Sequence, residues 1–496
     1  MDKELNIIKI KEILQLKAKE IFSIDLHSLA LFRIGLGLII IIDLILRSRD
    51  LKAFYTDDGV LPRSLTIDSF INQYQLSIHF ISGTTFIQSI LFLTAVVFAF
   101  MLLIGYKTFI STLLSWFLYV SLINRNPLVF YCGDQLLKVL LFWSLFLPLG
   151  AKYSIDGAMH KKEEERYSYA YSAASVALLL QISFVYIVTA LLKTGEEWRS
   201  NGTAIFYALM NNHYSTSLGL CLCHFPALLK LLTPCVLLFE FLGPIFLFIP
   251  FYTKQIRTII IALFLLLQAG FGFFLSLGIF PWISTVAIVP FLPGSLSKKI
   301  LSYFKHQFEQ ILLFKPKQSY QTNKSSFISP FSKNVLAAFF FIYILIWNLW
   351  TINPQLKIPT SFWTIGNMLG INQRWDMFAP YPFKTSGWYV IPGKLLDGSE
   401  SDIIKDGEPI TWEKPKIPSQ LYKSYRWNTY LLYLWHHYST KQFNYFGRYI
   451  CREWNSTHTG GSRLNTFKIY YMEEKMLPDF SISKPEAKLL WSHHCF

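Results

Sequence analysis

The sequence predicts an all-α polytopic membrane bundle of about nine transmembrane helices, followed by a small C-terminal extramembrane α+β domain. Of the 496 residues, 52% are hydrophobic, 17% are aromatic and only 16% are charged, which is far from the average of soluble globular proteins. The apolar residues are gathered in long stretches, and the composition becomes polar from about Asn353 onward. A lipid bilayer is therefore the expected environment of most of the chain.

Nine apolar stretches are read as membrane spans. A perpendicular helix needs about 20 residues to cross the hydrocarbon core, so the third, fourth and eighth stretches are short enough to be half-buried or re-entrant. In chain order the nine are Leu29 to Leu46, Phe86 to Tyr106, Phe109 to Ile123, Leu136 to Leu149, Ala173 to Leu192, Thr233 to Phe251, Thr258 to Leu277, Ile279 to Leu292 and Val335 to Trp350.

Lysine and arginine residues predict the orientation, because they are enriched in short cytoplasmic loops. One set of loops carries 19 of them and the alternate set carries eight. The amino terminus is therefore expected in the cytoplasm and the C-terminal domain on the periplasmic or extracytoplasmic side, as a multi-pass protein of the inner membrane if the source is bacterial. The formal charge of +15 is explained by this topology and by anionic lipid, so nucleic-acid binding is not expected.

Composition and periodicity divide the chain further. Residues 1–24 are expected to form an inner-face amphipathic segment, residues 25–352 the transmembrane domain with a cytoplasmic connector at 295–333, and residues 353–496 the outer α+β domain. Four tryptophans, Trp375, Trp388, Trp412 and Trp491, are expected to form the core of that domain or to seat it on the membrane. Its predicted elements are a hairpin of Gly387 to Leu395 and Glu400 to Ile404 around Asp397-Gly398, helices at Tyr425 to Tyr438 and Asn444 to Asn455, and a strand at Thr466 to Glu473.

All six cysteines fall on the predicted outer side or at its edge, which is compatible with disulfides. Cys451 and Cys495 lie in the same domain and are the expected pair. For Cys221 and Cys223 three interpretations stay open: a bridge elsewhere, redox chemistry, or two buried thiols. The tail His493-His494-Cys495 is one cluster without a spaced partner, so no metal site is predicted.

Ionisable residues at or within the spans are functional candidates because their burial in a membrane is costly. Lys193 ends the fifth span, where it is either a base whose amine is partly desolvated or a lysine that extends its head group to the interface. Glu240 lies deep in the sixth span and either shuttles protons with a lysine or hydrogen-bonds a neighbouring helix. Asp43 and Arg47 are one helical turn apart and are expected to neutralise each other.

Several motifs are informative in combination: Leu29-Ala30-Leu31-Phe32-Arg33-Ile34-Gly35, the stretch Phe54 to Pro62, Gly133-Asp134, the stretch Tyr153 to Gly157, Lys193 with Trp198, and the stretch Leu277 to Trp282. Together they resemble the horizontally transferred transmembrane (HTTM) family, which is related to vitamin K-dependent γ-glutamyl carboxylase. The resemblance covers about residues 22 to 300. The final domain, which contains the stretch Gln373 to Pro380, also resembles a domain found on bacterial HTTM proteins.

The resemblance implies a role for Lys193. In the carboxylases, a lysine five residues before a tryptophan is the base in vitamin K hydroquinone chemistry and faces the lumen, and Lys193 with Trp198 has that spacing. Glu240 falls where those enzymes carry an aspartate. The resemblance thus implies a quinone or hydroquinone as the cofactor or ligand, without identifying it.

Other positions depart from the carboxylases. Gly133-Asp134 stands where they have an Asn-His pair, and Gln268 with Phe271 stands where they have His-x-x-Asn. The histidine that follows a Trp-Asp-Met segment is replaced by the Ala379-Pro380 region, and the large domain that binds propeptides is missing. True γ-glutamyl carboxylation is therefore not expected.

Three functional hypotheses follow. The first is a membrane enzyme, of carboxylase- or epoxidase-like lyase or oxidoreductase type, in which Lys193 is the base and Asp134, Glu240 and Gln268 shape the site. Its substrate would be a quinone-like lipid or a protein on the outer side. The second is a non-catalytic maturation, export or immunity factor that binds a protein partner through the outer domain. The third is a thiol oxidoreductase that uses Cys221 and Cys223. The sequence does not decide between catalysis and binding.

Overall fold

Helices build most of the protein in a computed structural model, which describes residues 2–69, 75–159, 167–312, 325–328 and 330–496. The helices used below are α1 (Asp2–Phe22), α2 (Leu26–Ser48), α3 (Thr85–Ile104), α4 (Thr108–Arg125), α5 (Cys132–Ser144), α6 (Ala173–Leu192), α7 (Pro226–Phe246), α8 (Thr253–Phe274), α9 (Phe280–Ile288), α10 (Gly294–Leu312), α11 (Phe331–Ile352), α12 (Tyr425–His436) and α13 (Thr440–Thr457). Shorter helices lie at Leu51–Tyr55, Arg63–Ser69, Ile155–Met159, Glu196–Arg199, Ala204–Met210, Ser217–Leu222 and Thr360–Met368.

Six helices of the described part are long and apolar enough to cross a membrane, namely α2, α3, α6, α7, α8 and α11. The protein is therefore an integral membrane protein, as the composition predicts. The predicted count of nine is not confirmed by this criterion. The third, fourth and eighth predicted stretches correspond to α4, α5 and α9, of 18, 13 and nine residues. Helix α4 buries small polar side chains such as Ser111 and Ser115, which lower its overall apolarity.

The loops that connect the helices form two groups, one at each end of the helical bundle. Within each group, the loops contact one another or the same part of the chain. At one end, which we call the domain face, the loops that follow α2, α4 and α6 contact the C-terminal region, defined as residues 353–496. Lys52 pairs with Glu453 at 2.7 Å, Arg426 donates to the Val129 carbonyl at 2.7 Å, and Asn212 donates to Glu474 at 2.8 Å.

The other end, which we call the sheet face, gathers the remaining connections. Strands β1 (Ile24–Asp25), β2 (Tyr167–Tyr171) and β3 (Ser325–Ile328) precede α2, α6 and α11 and form one small sheet, with β1 antiparallel and β3 parallel to β2. The loop between α3 and α4 is tied to Asp156, whose carboxylate accepts from the Lys107 amide at 2.8 Å. Ser28 donates to the Leu292 carbonyl at 2.9 Å. The loop between α7 and α8 accepts a hydrogen bond from Lys17 of α1.

The C-terminal region contains an antiparallel sheet of β4 (Thr385–Val390), β5 (Pro392–Leu395), β6 (Glu400–Asp402), β7 (Leu464–Lys475) and β8 (Glu486–His494). The long strand β7 pairs with β4 and β5 along one edge and with β8 along the other. The predicted hairpin is confirmed for β5 and β6, whose turn places Gly398 at a φ of +89°. Both predicted helices and the predicted strand of this region are confirmed as α12, α13 and β7.

One buried apolar cluster runs from the bundle into the C-terminal region, so the two share a core. Trp375 and Trp388 are fully buried, as predicted. Trp412 is 43% exposed and packs edge-on against the Tyr470 ring at 5.0 Å, so it does not belong to the core.

The predicted inner-face segment is a helix, α1, whose exposed apolar residues include Ile13, Leu14 and Leu16. Of the connector predicted at 295–333, the structure describes α10, β3 and the start of α11. Residues 313–324 and 329 of the connector lie outside the described residues.

Candidate functional site

A cavity of about 390 Å³ lies between the domain face of the bundle and the C-terminal region. Its wall is mainly aromatic and apolar, with a few polar groups. The residues that line it are Phe130, Tyr131, Cys132, Tyr186, Thr189, Lys193, Tyr214, Glu240, Phe271, Leu277, Phe280, Asp376, Met377, Phe378, Ala379, Tyr381, Pro382, Phe383, Tyr425, Asn428, Thr429 and Leu432.

Lys193 is the residue that ends α6, and its side chain turns into this cavity wall. Only 2% of its surface is exposed, so it does not extend into the interface as a surface lysine would. Its ammonium lies 2.5 Å from Glu240 Oε2 and 4.1 Å from the centre of the Trp198 ring. A cation at the carboxyl end of a helix is also favoured by the helix dipole. Lys193 is thus held by one carboxylate and one aromatic face.

Glu240 reaches Lys193 from the middle of α7 and is 4% exposed. Beside it, Tyr186 of α6 lines the same cavity and its hydroxyl accepts a hydrogen bond from Gln268 Nε2 at 3.1 Å. Gln268 lies on α8, behind the cavity wall, and its Oε1 is buried without a partner in the described part of the chain. Three helices therefore converge on one polar group of Lys193, Glu240, Tyr186 and Gln268.

Asp134, the fourth residue predicted for this site, lies elsewhere. Its carboxylate contacts Arg47 at 2.5 Å and Arg426 at 2.6 Å, and it accepts from the Tyr119 hydroxyl at 2.9 Å. The predicted pair of Asp43 and Arg47 is confirmed at 2.7 Å. Asp134 is therefore not among the residues that line the Lys193 cavity.

These four charged side chains form a buried network, which we call the ion quartet: Asp43, Arg47, Asp134 and Arg426. Its two carboxylates and two guanidinium groups balance in charge. Arg426 comes from α12 of the C-terminal region, so the quartet joins that region to α2 and α5 of the bundle. Buried charges need such pairing because an uncompensated one is costly.

The C-terminal region closes the cavity with two segments that the sequence did not link to Lys193. One is residues 376–383, and the other is α12, which contributes Tyr425 and Asn428. The first is fixed to the bundle by two hydrogen bonds, from the Trp198 indole to the Phe378 carbonyl at 2.9 Å and from the Gly195 amide to the Pro380 carbonyl at 3.0 Å. The sequence feature that could have indicated this contact is the Gln373 to Pro380 motif, which served only as evidence of a family resemblance.

A second depression, of about 280 Å³, lies within the C-terminal region. We call it the outer cleft. Aromatic rings of Tyr422, Trp427, Phe446, Tyr449 and Trp454 line it together with aliphatic side chains. The wall of the outer cleft also contains a few charged side chains, including Glu453.

The cysteines divide into one bonded pair and single thiols. Cys451 is bonded to Cys495, as predicted. Cys221 and Cys223 are free thiols on the short helix Ser217–Leu222 and just after it, and neither lines the Lys193 cavity. Within the described ranges, no three His, Cys, Asp or Glu side chains come close enough together to hold a metal ion.

The sequence family named HTTM domain matches residues 22–295, which is more than half of the chain. The protein belongs to the HTTM domain family. The matched part of this HTTM protein contains Lys193, Trp198, Glu240 and Gln268, whereas the two segments that close the cavity lie beyond it. No curated protein and no solved structure matches the chain.

Proposed function

We propose that this HTTM protein is a membrane enzyme in which Lys193 accepts a proton from a quinone-like lipid bound in the cavity. The observation that carries the proposal is the buried pair of Lys193 and Glu240 in the wall of a cavity that the C-terminal region closes. A lysine that only extends to the interface has no need of a buried carboxylate partner. Such a pair in a cavity is a candidate proton-transfer group.

The pair has a route to a neutral amine. In the proposed scheme one proton passes from the Lys193 ammonium to the Glu240 carboxylate 2.5 Å away, which gives an uncharged amine and an uncharged carboxylic acid. The amine can then take a proton from a ligand hydroxyl, which leaves a ligand oxyanion beside the new ammonium. Lys193 is the base in this scheme and Glu240 stores the proton.

The wall of the cavity supports a flat, largely apolar ligand. Rings such as Phe130, Phe271, Phe280 and Phe383 supply stacking surfaces, and the polar groups are few. Binding sites for small molecules usually combine an apolar wall with a small number of placed polar groups. A ring that carries an acidic hydroxyl, as a hydroquinone does, fits both properties.

The experiment that tests this proposal is mass spectrometry of small molecules retained by the full-length protein after gentle purification. Wild type is expected to retain a ring-bearing lipid, and Lys193→Met is expected to lose most of it. Lys230→Met is the matched control, because Lys230 is an exposed lysine at the start of α7 that does not line the cavity. Equal retention by wild type and Lys193→Met would contradict the proposal.

We do not propose γ-glutamyl carboxylation. Gly133-Asp134 replaces the Asn-His pair of the carboxylases, and Asp134 is engaged in the ion quartet away from Lys193. Phe271, which stands in a polar position of the carboxylases, adds only an apolar surface to the cavity. The proposed chemistry is therefore limited to proton transfer with the ligand.

We further propose that nine helices cross the membrane, with the amino terminus in the cytoplasm and the C-terminal region outside. The two groups of loops support it, because α4, α5 and α9 each join the domain face to the sheet face as the six long helices do. The excess of basic residues in the loops of the sheet face supports the orientation. A single cysteine introduced at the exposed Glu400 should react with an impermeant maleimide in intact cells, and reaction only after lysis would reverse the orientation.

A second candidate function is a non-catalytic factor that binds a protein partner through the C-terminal region. The outer cleft favours it, since aromatic pockets often hold the anchor side chains of a partner. Trp454→Ala would then remove the function while Lys193→Met would keep it. No observation favours the third hypothesis, because Cys221 and Cys223 do not line the Lys193 cavity.

A further inference from the structure

Three side chains from distant parts of the sequence meet in a second portion of the cavity wall. Cys132 begins α5, Tyr214 follows the short helix Ala204–Met210, and Tyr425 begins α12 of the C-terminal region. All three line the cavity and are half-buried. None of them is needed for the proton transfer between Lys193 and Glu240, so their role is open.

The two phenols of this group are uncharged hydrogen-bond donors. Burial and the nearby Cys132 thiol raise the pKa of Tyr214, and burial with the nearby Cys132 and Tyr214 raises the pKa of Tyr425. The three groups are therefore neighbours, and both hydroxyls keep their protons at neutral pH. The Tyr214 hydroxyl makes no hydrogen bond to another residue of the described part. It is thus available to a ligand.

Packing fixes the two rings. Tyr214 meets the Phe378 ring edge-on at 5.6 Å, and Tyr425 meets the Tyr131 ring edge-on at 5.1 Å. Gly278 lies directly against Tyr425 at a φ of +60°, and a Cβ there would approach the ring to 2.7 Å. The hydroxyl positions are consequently set by the fold, as a recognition site requires.

We propose that Tyr214 and Tyr425 form a second polar subsite, which donates a hydrogen bond to one oxygen of a flat ligand whose other oxygen lies at Lys193. The inference rests on the proposed function and deepens it, because it names the two residues that would bind the second oxygen of the ring. A site built to hydrogen-bond an oxygen discriminates against the analogue that lacks it. The same ring with a single oxygen should therefore bind more weakly.

The test compares two probes, 1,4-dihydroxynaphthalene and 1-naphthol, which differ by one hydroxyl. Their affinities for the purified full-length protein are measured anaerobically by titration calorimetry. Wild type should prefer the diol by about 3- to 10-fold, the range expected for one neutral hydrogen bond. In the double variant Tyr214→Phe/Tyr425→Phe this preference should fall to nearly none, while the affinity for 1-naphthol stays at the wild-type level.

Tyr438→Phe is the matched control. Tyr438 is an exposed tyrosine of the C-terminal region and does not line the cavity. This variant should keep the full preference for the diol. A preference that survives in the double variant, or that is missing in wild type, would overturn the proposal.

The same measurements distinguish a failure of the second subsite from a failure of the proposed function. If Lys193→Met binds both probes more weakly than wild type while the double variant still prefers the diol, the proposed function stands and the second subsite is refuted. If Lys193→Met binds both probes as wild type does while the double variant loses the preference, the subsite stands and the role of Lys193 is refuted.

Discussion

Removal of Arg426 should destabilise the whole protein, because this side chain joins the C-terminal region to the bundle. Its guanidinium contacts Asp134 at 2.6 Å and Asp43 at 3.0 Å and donates to the Val129 carbonyl at 2.7 Å. In Arg426→Leu the quartet keeps two carboxylates and only one guanidinium group. Breaking a buried ion pair in this way costs about 3 to 5 kcal/mol.

The assay is thermal unfolding of the detergent-solubilised protein, followed by tryptophan fluorescence. A loss of that size should lower Tm by about 6 °C or more, at roughly 2 °C per kcal/mol for a large domain. Arg448→Leu is the control, because Arg448 is an exposed arginine on α13 that packs over the Tyr445 ring. Adding Asp134→Asn to Arg426→Leu should restore part of the stability, since it returns the network to charge balance. A Tm of Arg426→Leu equal to that of Arg448→Leu would refute this reasoning.

Two further predictions concern the C-terminal region. Cys451→Ser/Cys495→Ser should lower stability by about 2 to 4 kcal/mol, because the bridge closes a loop across 44 residues; an unchanged Tm, compared with wild type under oxidising conditions, would contradict it. His213 is buried between Asn428 and Tyr471, and burial lowers its pKa to about 4. Its neutral form is favoured in the folded state, so its contribution is complete above the unfolded pKa of about 6.5 and is lost as the pH falls toward 4. His213→Gln should flatten the decline of Tm over that pH window, and an unchanged slope would count against it.

Part of the site could be predicted from the chain alone because it depends on local rules. The end of an apolar stretch predicted that a helix ends at Lys193, and a spacing of one helical turn predicted the pair of Asp43 and Arg47. Glu240 stood out because it has no cation at helical spacing on α7. Its partner comes from α6 instead, 47 residues earlier, at 2.5 Å.

Contacts over long sequence distances could not be predicted in this way. Nothing in the sequence near Asp134 indicates that its carboxylate pairs with Arg426, which lies 292 residues later. The closure of the cavity by residues 376–383 depends likewise on how the C-terminal region docks. Strand β8 was missed because most of its residues are exposed or half-buried and therefore lack a regular alternation of apolar and polar side chains.

The most direct measurement of the central claim is the ionisation of 1-naphthol bound in the cavity, read from its absorbance as a function of pH. The naphtholate absorbs at longer wavelength than the neutral form and the protein. If Lys193 is a base, bound 1-naphthol should ionise at lower pH than free 1-naphthol in wild type. The shift should disappear in Lys193→Met, because methionine neither accepts a proton nor carries a charge that would stabilise the naphtholate. A wild-type shift in Lys193→Met would contradict the assignment of Lys193 as the base.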